Sequence, residues 1–291
     1  MLNTPSVHSI EPRLELSLNQ WLSVYPDCLN IGDAFLPLSH LLDLHRAAIR
    51  SMQQVQSTFL KRPVTRRPYI IGVSGSVAAG KSHFSRALSL ALEKWSSRPS
   101  VQLVTTDSFL YSLATLQREG LAGRKGFPES YNRPLMFDFL RSISRGRSQT
   151  IPIYSHATYD ILPGEHYHFQ ASDIVILEGV NVCQVDSNSR ENVLDYVDFS
   201  IYLHASEEHL RSWYVERFLR LKAEAALESG SYFSRFHNLS SDEAQEVALE
   251  RWERINLVNL QENIFSSRDN ADLIIEKSAN HAIEFLKLRV V

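Results

Sequence analysis

The sequence predicts an α/β fold with a mainly parallel central sheet flanked by helices, on three observations. Strand-like runs recur at residues 69–74, 101–106, 151–155, 173–177, 198–203 and 272–276, mostly separated by helical stretches, and such alternation builds a parallel sheet covered by helices. Two of these runs, IIGVS and DIVIL, are apolar almost throughout, as central strands buried on both faces are. The first run passes through a glycine-rich turn directly into an amphipathic helix over residues 81–95.

Taken in order, residues 1–35 show weak periodicity and several breakers, and read as an irregular arm with one short helix. From Leu41 the pattern sharpens: Leu41, Leu44, Ala48, Met52, Val55 and Phe59 recur at steps of three and four. They form one apolar stripe on a helix that Ser39 would cap and Pro63 would end, expected to pack on the sheet. The expected organisation is one compact domain, with residues 1–65 as a helical arm on a core of residues 66–291. A chain of 291 residues can bury a full core, and 44% hydrophobic with 22% charged residues is an ordinary globular mixture.

Composition excludes several classes of function. With 30 basic against 33 acidic residues the net charge is -3, too near neutrality to draw in a nucleic-acid backbone over distance. The two cysteines, Cys28 and Cys183, supply neither a disulfide framework nor a zinc cluster, which fits a reducing cytoplasm. The first residues mix charged and polar side chains as no signal peptide does, and no apolar run reaches membrane-spanning length, so no membrane partner is expected.

The chemistry starts at Gly75-Ser76-Val77-Ala78-Ala79-Gly80-Lys81-Ser82, which matches G-x-x-x-x-G-K-[ST]. In this pattern backbone N–H groups cradle phosphates, the lysine reaches the β- and γ-phosphates of ATP, and the serine hydroxyl serves Mg2+. Its position between a predicted strand and a predicted helix is the setting the motif requires, because the helix aims its positive end at the anion. Asp107 follows the apolar run 101–106, where ligands of parallel sheets sit; it reads as a base for an attacking hydroxyl or a magnesium ligand, with helix capping as the plainer alternative. Glu178 ends the run DIVIL and could hold magnesium through water, or merely close a strand before Gly179. Tyr214, Arg217 and Phe218 share one face of a helix that also carries Arg211 and Arg220; an arginine there can neutralise a transferring phosphoryl group, although such helices are often only solvated.

The stretches TTDSFL, KGFPESYN, PIYSHATYDI, ILEGVN, DFSIYLHA, WYVERF, RINLVNLQENI and KSANHA closely resemble those of the type I bacterial pantothenate kinases, in the same order, from about residue 36 to residue 289. The resemblance implies a P-loop kinase fold and ATP-dependent phosphorylation of the primary hydroxyl of pantothenate to 4'-phosphopantothenate, the first step of coenzyme A biosynthesis. By it, Lys81 and Ser82 serve phosphates and Mg2+, Asp107 is the base, Arg217 stabilises the γ-phosphate and Glu178 supports the metal. The same resemblance implies that Tyr154, His156, Tyr214 and Asn256 line the pantothenate pocket, with Phe233 and Phe236 over the pantothenate tail, and that His281 contacts adenine. The resemblance also ties Arg86 to feedback inhibition by coenzyme A and implies a homodimer through a long helix, for which the stripe from Leu41 to Phe59 is a candidate, the core being the alternative.

Departures from that pattern concern the pocket more than the catalytic groups. Leu221 and Ala226 stand where phenylalanines are expected, Phe236 where tyrosine is usual, and His83 and Ser108 replace threonine and glycine. The stretch between Trp21 and Leu36 is shorter by about a helix and lacks an adenine-side contact. Two alternatives therefore stand: a related kinase acting on another hydroxyl metabolite, such as a nucleoside or sugar phosphate, and a nucleotide- or coenzyme A-binding paralogue without catalysis.

Overall fold

The computed structural model describes residues 12–23, 34–63, 67–95, 97–225 and 230–290. Its centre is β2 (Tyr69–Gly75), buried at every position, with β6 (Ile174–Glu178) on one side and β7 (Phe199–His204) on the other. Both neighbours run parallel to it, pairing Gly72 with Leu177 and with Ser200. Beyond β6 lies β3 (Val101–Thr105); beyond β7 lie β8 (Leu273–Lys277), then β9 (Ile283–Arg289) and β1 (Arg13–Ser17). The five strands from β3 to β8 are parallel, and β9 and β1 extend the sheet antiparallel. The mostly parallel sheet and the central placement of IIGVS and DIVIL follow the sequence pattern.

An aspartate precedes each of β6, β7 and β8, and its carboxylate accepts from the adjacent strand's start. Ser100 N–H donates to Asp173 at 3.0 Å, Ile70 N–H to Asp198 at 2.8 Å, and Ser200 N–H to Asp272 at 2.8 Å. Asp198 also takes both arms of the Arg67 guanidinium at 2.8 and 2.6 Å. Charge-assisted bonds of this kind fix strand register at the amino ends and leave the carboxyl ends free for chemistry.

Three expectations are corrected. Residues 151–155 belong to β4 (Gln149–Ser155), which pairs with β5 (Asp160–Phe169) in a separate antiparallel hairpin, outside the main sheet. The N-terminal arm carries the short helix α1 (Leu18–Ser23), as expected, but it also supplies edge strand β1. Helix α2 (Phe35–Leu60) starts before Ser39, whose hydroxyl donates to Leu36 O at 2.9 Å instead of capping the helix.

The face of α2 that packs on the sheet also differs from the predicted stripe. Leu38 and Leu42 are buried, each removing about 2 kcal/mol of apolar surface from water, whereas Met52, Val55 and Phe59 are 64%, 69% and 84% exposed. Helical spacing marks a stripe but not what covers it. The helix ends at Lys61 in the left-handed region, just ahead of Pro63. Cys28, Ala226 and most of the shortened segment, residues 24–33, lie outside the described residues, as does the arm boundary at residues 64–66.

Four further helices frame the carboxyl end of the sheet: α3 (Lys81–Glu93), α4 (Leu113–Arg118), α5 (Arg133–Ile143) and α6 (Glu207–Ala225). Helix α7 (Ser241–Arg251) runs on through wide π-helical turns at Trp252–Leu257 and Leu260–Ile264. Such turns are rare and concentrate at functional sites, because the extra residue per turn re-aims side chains.

Candidate active site

The motif glycines and lysine sit where strand β2 gives way to α3. A Cβ on Gly75 would stand 2.6 Å from Leu203 O, so only glycine lets the loop leave the sheet this close to β7. Ala78, inside the loop, holds φ 66°, a left-handed conformation unusual for a residue with a Cβ. Such strain is characteristic of backbone shaped for a ligand. With Ser76, Val77, Ala79 and Gly80 it forms a short turn closed by Ala79 N–H donating to Ser76 O at 3.2 Å. Helix α3 begins at Lys81 and Ser82, so its free N–H groups face the same concavity.

Lys81 reaches back across the loop and donates to Gly75 O at 3.0 Å and Ser76 O at 2.9 Å. Burial pulls its ammonium down to about 8; Glu178 and then Asp107 oppose the fall, and Arg217 adds to it. Three charged groups from three other elements thus act on Lys81 of α3: Glu178 from the end of β6, Asp107 from the turn after β3, and Arg217 from α6. The meeting of β3 and β6 is set by Gly179, where a Cβ would stand 1.9 Å from Thr106 Oγ1. Any larger residue would push apart the segments carrying Glu178 and Asp107.

Across from the loop, the β4–β5 hairpin brings in aromatic and basic groups. Lys125 donates to Tyr154 Oη at 3.3 Å and to Tyr159 O, and its ammonium lies 3.7 Å from the centre of the Tyr159 ring. Burial lowers Lys125 to about 8, with Asp107 pulling the other way. Tyr154 packs edge-on against His156 with ring centres 5.1 Å apart. Burial, then the charge of Asp107, raises the Tyr154 phenol. Desolvation lowers the His156 imidazole; Asp107 opposes this, while Arg217, Lys125 and Lys81 reinforce it. The field of Asp107 thus reaches Lys81, Lys125, Tyr154 and His156 together, making it the hub of the cleft.

Helix α6 presents the predicted face: Tyr214 and Arg217 are half-buried and Phe218 is buried, while Arg211 and Arg220 are exposed. Burial raises the Tyr214 phenol, Asn256 of the first π-helical turn opposes the rise, and the Tyr214 ring lies 5.7 Å from Trp252. His281 stacks on Trp213 of the same helix, with ring centres 3.9 Å apart. Lys277, 5.2 Å from that indole ring, donates to Ala79 O at 2.9 Å and so ties the His281 corner to the phosphate loop.

Phe233 and Phe236 are buried with Phe218, Ala244 and Ala248 in a second, smaller core, against which Tyr214 packs. Their neighbour Tyr232 is the one that reaches the hairpin, its ring 4.8 Å from that of Tyr159. Arg86 is exposed on α3, and no hydrogen bond or ion pair joins it to the other candidates among the described residues.

Glu178 is the carboxylate best suited to a divalent ion. Its Oε2 is buried and has no hydrogen-bond partner among the described residues, as suits a carboxylate waiting for a cation or its water. No group of three or more His, Cys, Asp or Glu able to hold a metal occurs among the described residues. An ion beside Ser82 and Glu178 would take its remaining ligands from phosphate oxygens and water, as Mg2+ does. The residues fit the group.

Residues 70–220 match the model of the phosphoribulokinase/uridine kinase family. A pantothenate kinase from Rhodopseudomonas palustris (strain BisB18) is 46% identical over 269 residues, covering 90% of this chain and 85% of that one. The chain belongs to the pantothenate kinase family. A pantothenate kinase from Bradyrhizobium diazoefficiens is 45% identical with the same coverage. The fold is shared with the D-glycerate 3-kinase of Cryptococcus neoformans, at a TM-score of 0.57 and 16% identity over 87% of this chain and 98% of that one.

Within this pantothenate kinase family member, the sequence reading missed Lys125, Tyr159, Trp213 and Lys277. Lys125 sits among charged residues in GRKGF and looks like part of a solvated loop; only the closure of the β4–β5 hairpin over it reveals burial. Trp213 lies one position before Tyr214, a spacing that gives no hint of contact with His281.

Proposed function

We propose that this chain transfers the γ-phosphoryl group of ATP to the primary hydroxyl of pantothenate, forming 4'-phosphopantothenate and opening coenzyme A biosynthesis. The reading is carried by the electrostatic coupling of Lys81, at the phosphate loop, to Glu178, Asp107 and Arg217, in a chain 46% identical to a pantothenate kinase. Asp107 accepts the proton of the attacking hydroxyl as its oxygen bonds to the γ-phosphorus and the bridge to the β-phosphate breaks. Lys81 and Arg217 neutralise charge that builds on the transferring group, in a cleft whose low polarity strengthens both. Ser82 and Glu178 would hold Mg2+, which supplies charge neutralisation across the phosphates.

Tyr154, His156, Tyr214 and Asn256 line the acceptor side, where Lys125 adds a cation near the pantothenate carboxylate or amide. Phe233 and Phe236 act from behind, by bracing α6 through Phe218. His281, stacked on Trp213, marks the adenine side, and exposed Arg86 is the residue available to coenzyme A as a competing inhibitor. The apolar stripe Met52, Val55 and Phe59 on α2 is suited to a second copy of the chain, giving a homodimer, since single scattered apolar residues need no explanation but a stripe does. The setting is the cytoplasm, where ATP and pantothenate meet; no helix among the described residues is long and apolar enough to cross a membrane.

The test is an acceptor screen with purified protein and Mg-ATP, comparing pantothenate, its N-alkyl amides, uridine and ribulose 5-phosphate. Preferred turnover of pantothenate is expected. Preferred turnover of uridine or the sugar phosphate would assign the cleft to another acceptor, and ligand binding without any turnover would make the chain a sensor.

A further inference from the structure

Lys277 is a half-buried ammonium that the phosphoryl-transfer reading leaves without a task. It closes β8, and because β7 lies between β8 and β2, its side chain spans that strand to reach the phosphate loop, donating to Ala79 O at 2.9 Å. No carboxylate stands within ion-pair distance of it among the described residues, and no neighbouring charge opposes the lowering that burial imposes on it. Taking a charge part-way out of water without a counter-ion is costly, so a lysine kept in this position points to a use at the loop.

The geometry of its one contact shows what that use is. A trans peptide is planar, with its C=O and the following N–H pointing opposite ways. Holding Ala79 O therefore turns Gly80 N–H away from the lysine, and that N–H donates to no group among the described residues. The same ammonium stands 3.1 Å from the place a Cβ on Gly80 would take, so it closes the outer wall of the turn at this peptide. Lys81 is the other clamp on the loop, through Gly75 O and Ser76 O, but the motif assigns its ammonium to the nucleotide phosphates. Lys277 is itself held in place: the Trp213 indole N–H donates to Ala279 O at 2.9 Å, two residues beyond it, and the indole ring lies 5.2 Å from its Nζ.

We infer that Lys277 is a positioning residue for the nucleotide phosphates, keeping the Ala79–Gly80 peptide turned so that Gly80 N–H meets a bound phosphate after Lys81 has released Gly75 O and Ser76 O. It touches the loop and not the reacting atoms, so its loss is read in nucleotide binding before turnover. The inference rests on the phosphate-loop nucleotide site of the proposed function and is independent of the acceptor.

The experiment titrates the full chain, without acceptor, with Mg-ATP, Mg-ADP and adenosine by calorimetry. Lys277→Met, similar in length but without charge or donor, should weaken Mg-ATP and Mg-ADP about tenfold each and leave adenosine within about twofold of wild type. Lys277→Gln, a polar replacement too short to reach Ala79 O, should lose as much, and Lys277→Arg, which keeps charge and donors, should recover most of the loss. In turnover, Lys277→Met should raise the KM for Mg-ATP about tenfold, with the acceptor KM unmoved and kcat within about threefold. Retained adenosine binding shows that a variant is folded. Unchanged Mg-ATP affinity in both Lys277→Met and Lys277→Gln overturns the positioning role, as does an equal loss for adenosine, which would make the lysine a support for the base side. A wild type that fails to bind Mg-ATP overturns the nucleotide site and this inference together, whereas turnover of an acceptor other than pantothenate changes the proposed function alone.

Discussion

Raising the pH should strip nucleotide from the phosphate loop, and Lys81 sets the size of the effect. Its ammonium titrates at about 8 in the free protein, down from 10.5, chiefly through burial. If only the charged form supports tight phosphate binding, the competent fraction falls from about three-quarters at pH 7.5 to about 3% at pH 9.5. Affinity for Mg-ATP should then drop about 25-fold, or about 2 kcal/mol, over a range in which the phosphates are already fully ionised. A fluorescent ATP analogue titrated at half-unit steps measures this, and Lys81→Met should bind weakly with a nearly flat profile. Stability moves the opposite way. Because the folded pKa is depressed, charged Lys81 burdens the fold below about pH 8, and the burden is relieved between about 8 and 10.5. Without nucleotide, wild type should gain on Lys81→Met by up to about 3 kcal/mol across that window, seen as diverging urea midpoints. A wild-type nucleotide affinity that stays constant from pH 7.5 to 9.5, or a Lys81→Met profile of the same slope, would refute the assignment.

Four further outcomes are expected. Asp107→Ala should lower turnover by about 10²–10⁴-fold with nucleotide binding retained, measured by coupled ADP release beside a binding titration. Arg217→Ala should reduce kcat by about 10³-fold or more and change the acceptor KM far less, as a group acting on the transition state does. Gly179→Ala, forcing a methyl group against Thr106, should destabilise the protein by about 1–3 kcal/mol in urea melts and depress turnover with it. Wild type is expected to sediment as the proposed homodimer in analytical ultracentrifugation and Phe59→Asp with Met52→Lys as a monomer; a wild-type monomer would reject the α2 stripe as a dimer contact.

The parts of the molecule legible in the sequence are those where local pattern and global burial agree. β2 and β6 are apolar because both faces are covered, and the phosphate loop is legible because its glycines answer to local geometry. The remainder depends on distant partners. β5 contains Pro163 and Gly164, which read as breakers until the hairpin with β4 is seen. β1 is five residues long and obtains its partner from β9, more than 260 residues away. The α2 stripe was visible as a stripe, but only three-dimensional packing shows that Leu38 and Leu42 carry the intramolecular contact. Asp107 stands at a strand end where ligands of parallel sheets sit, whereas Arg217 is singled out from Arg211 and Arg220 only by the family resemblance, and Lys125, although it opens KGFPESYN, carries no local sign of its burial.

The pairing of β1 with β9 imposes an order on biosynthesis. At about 5–20 residues per second, the ribosome needs roughly 15–55 s between emission of Arg13 and of Ile283. Throughout that interval the early strand is without its mate and β8, once made, has an open flank. Nascent chains stalled before residue 283 should therefore be the species that chaperones hold and proteases cut, even though the phosphate loop and its helix have long since been translated.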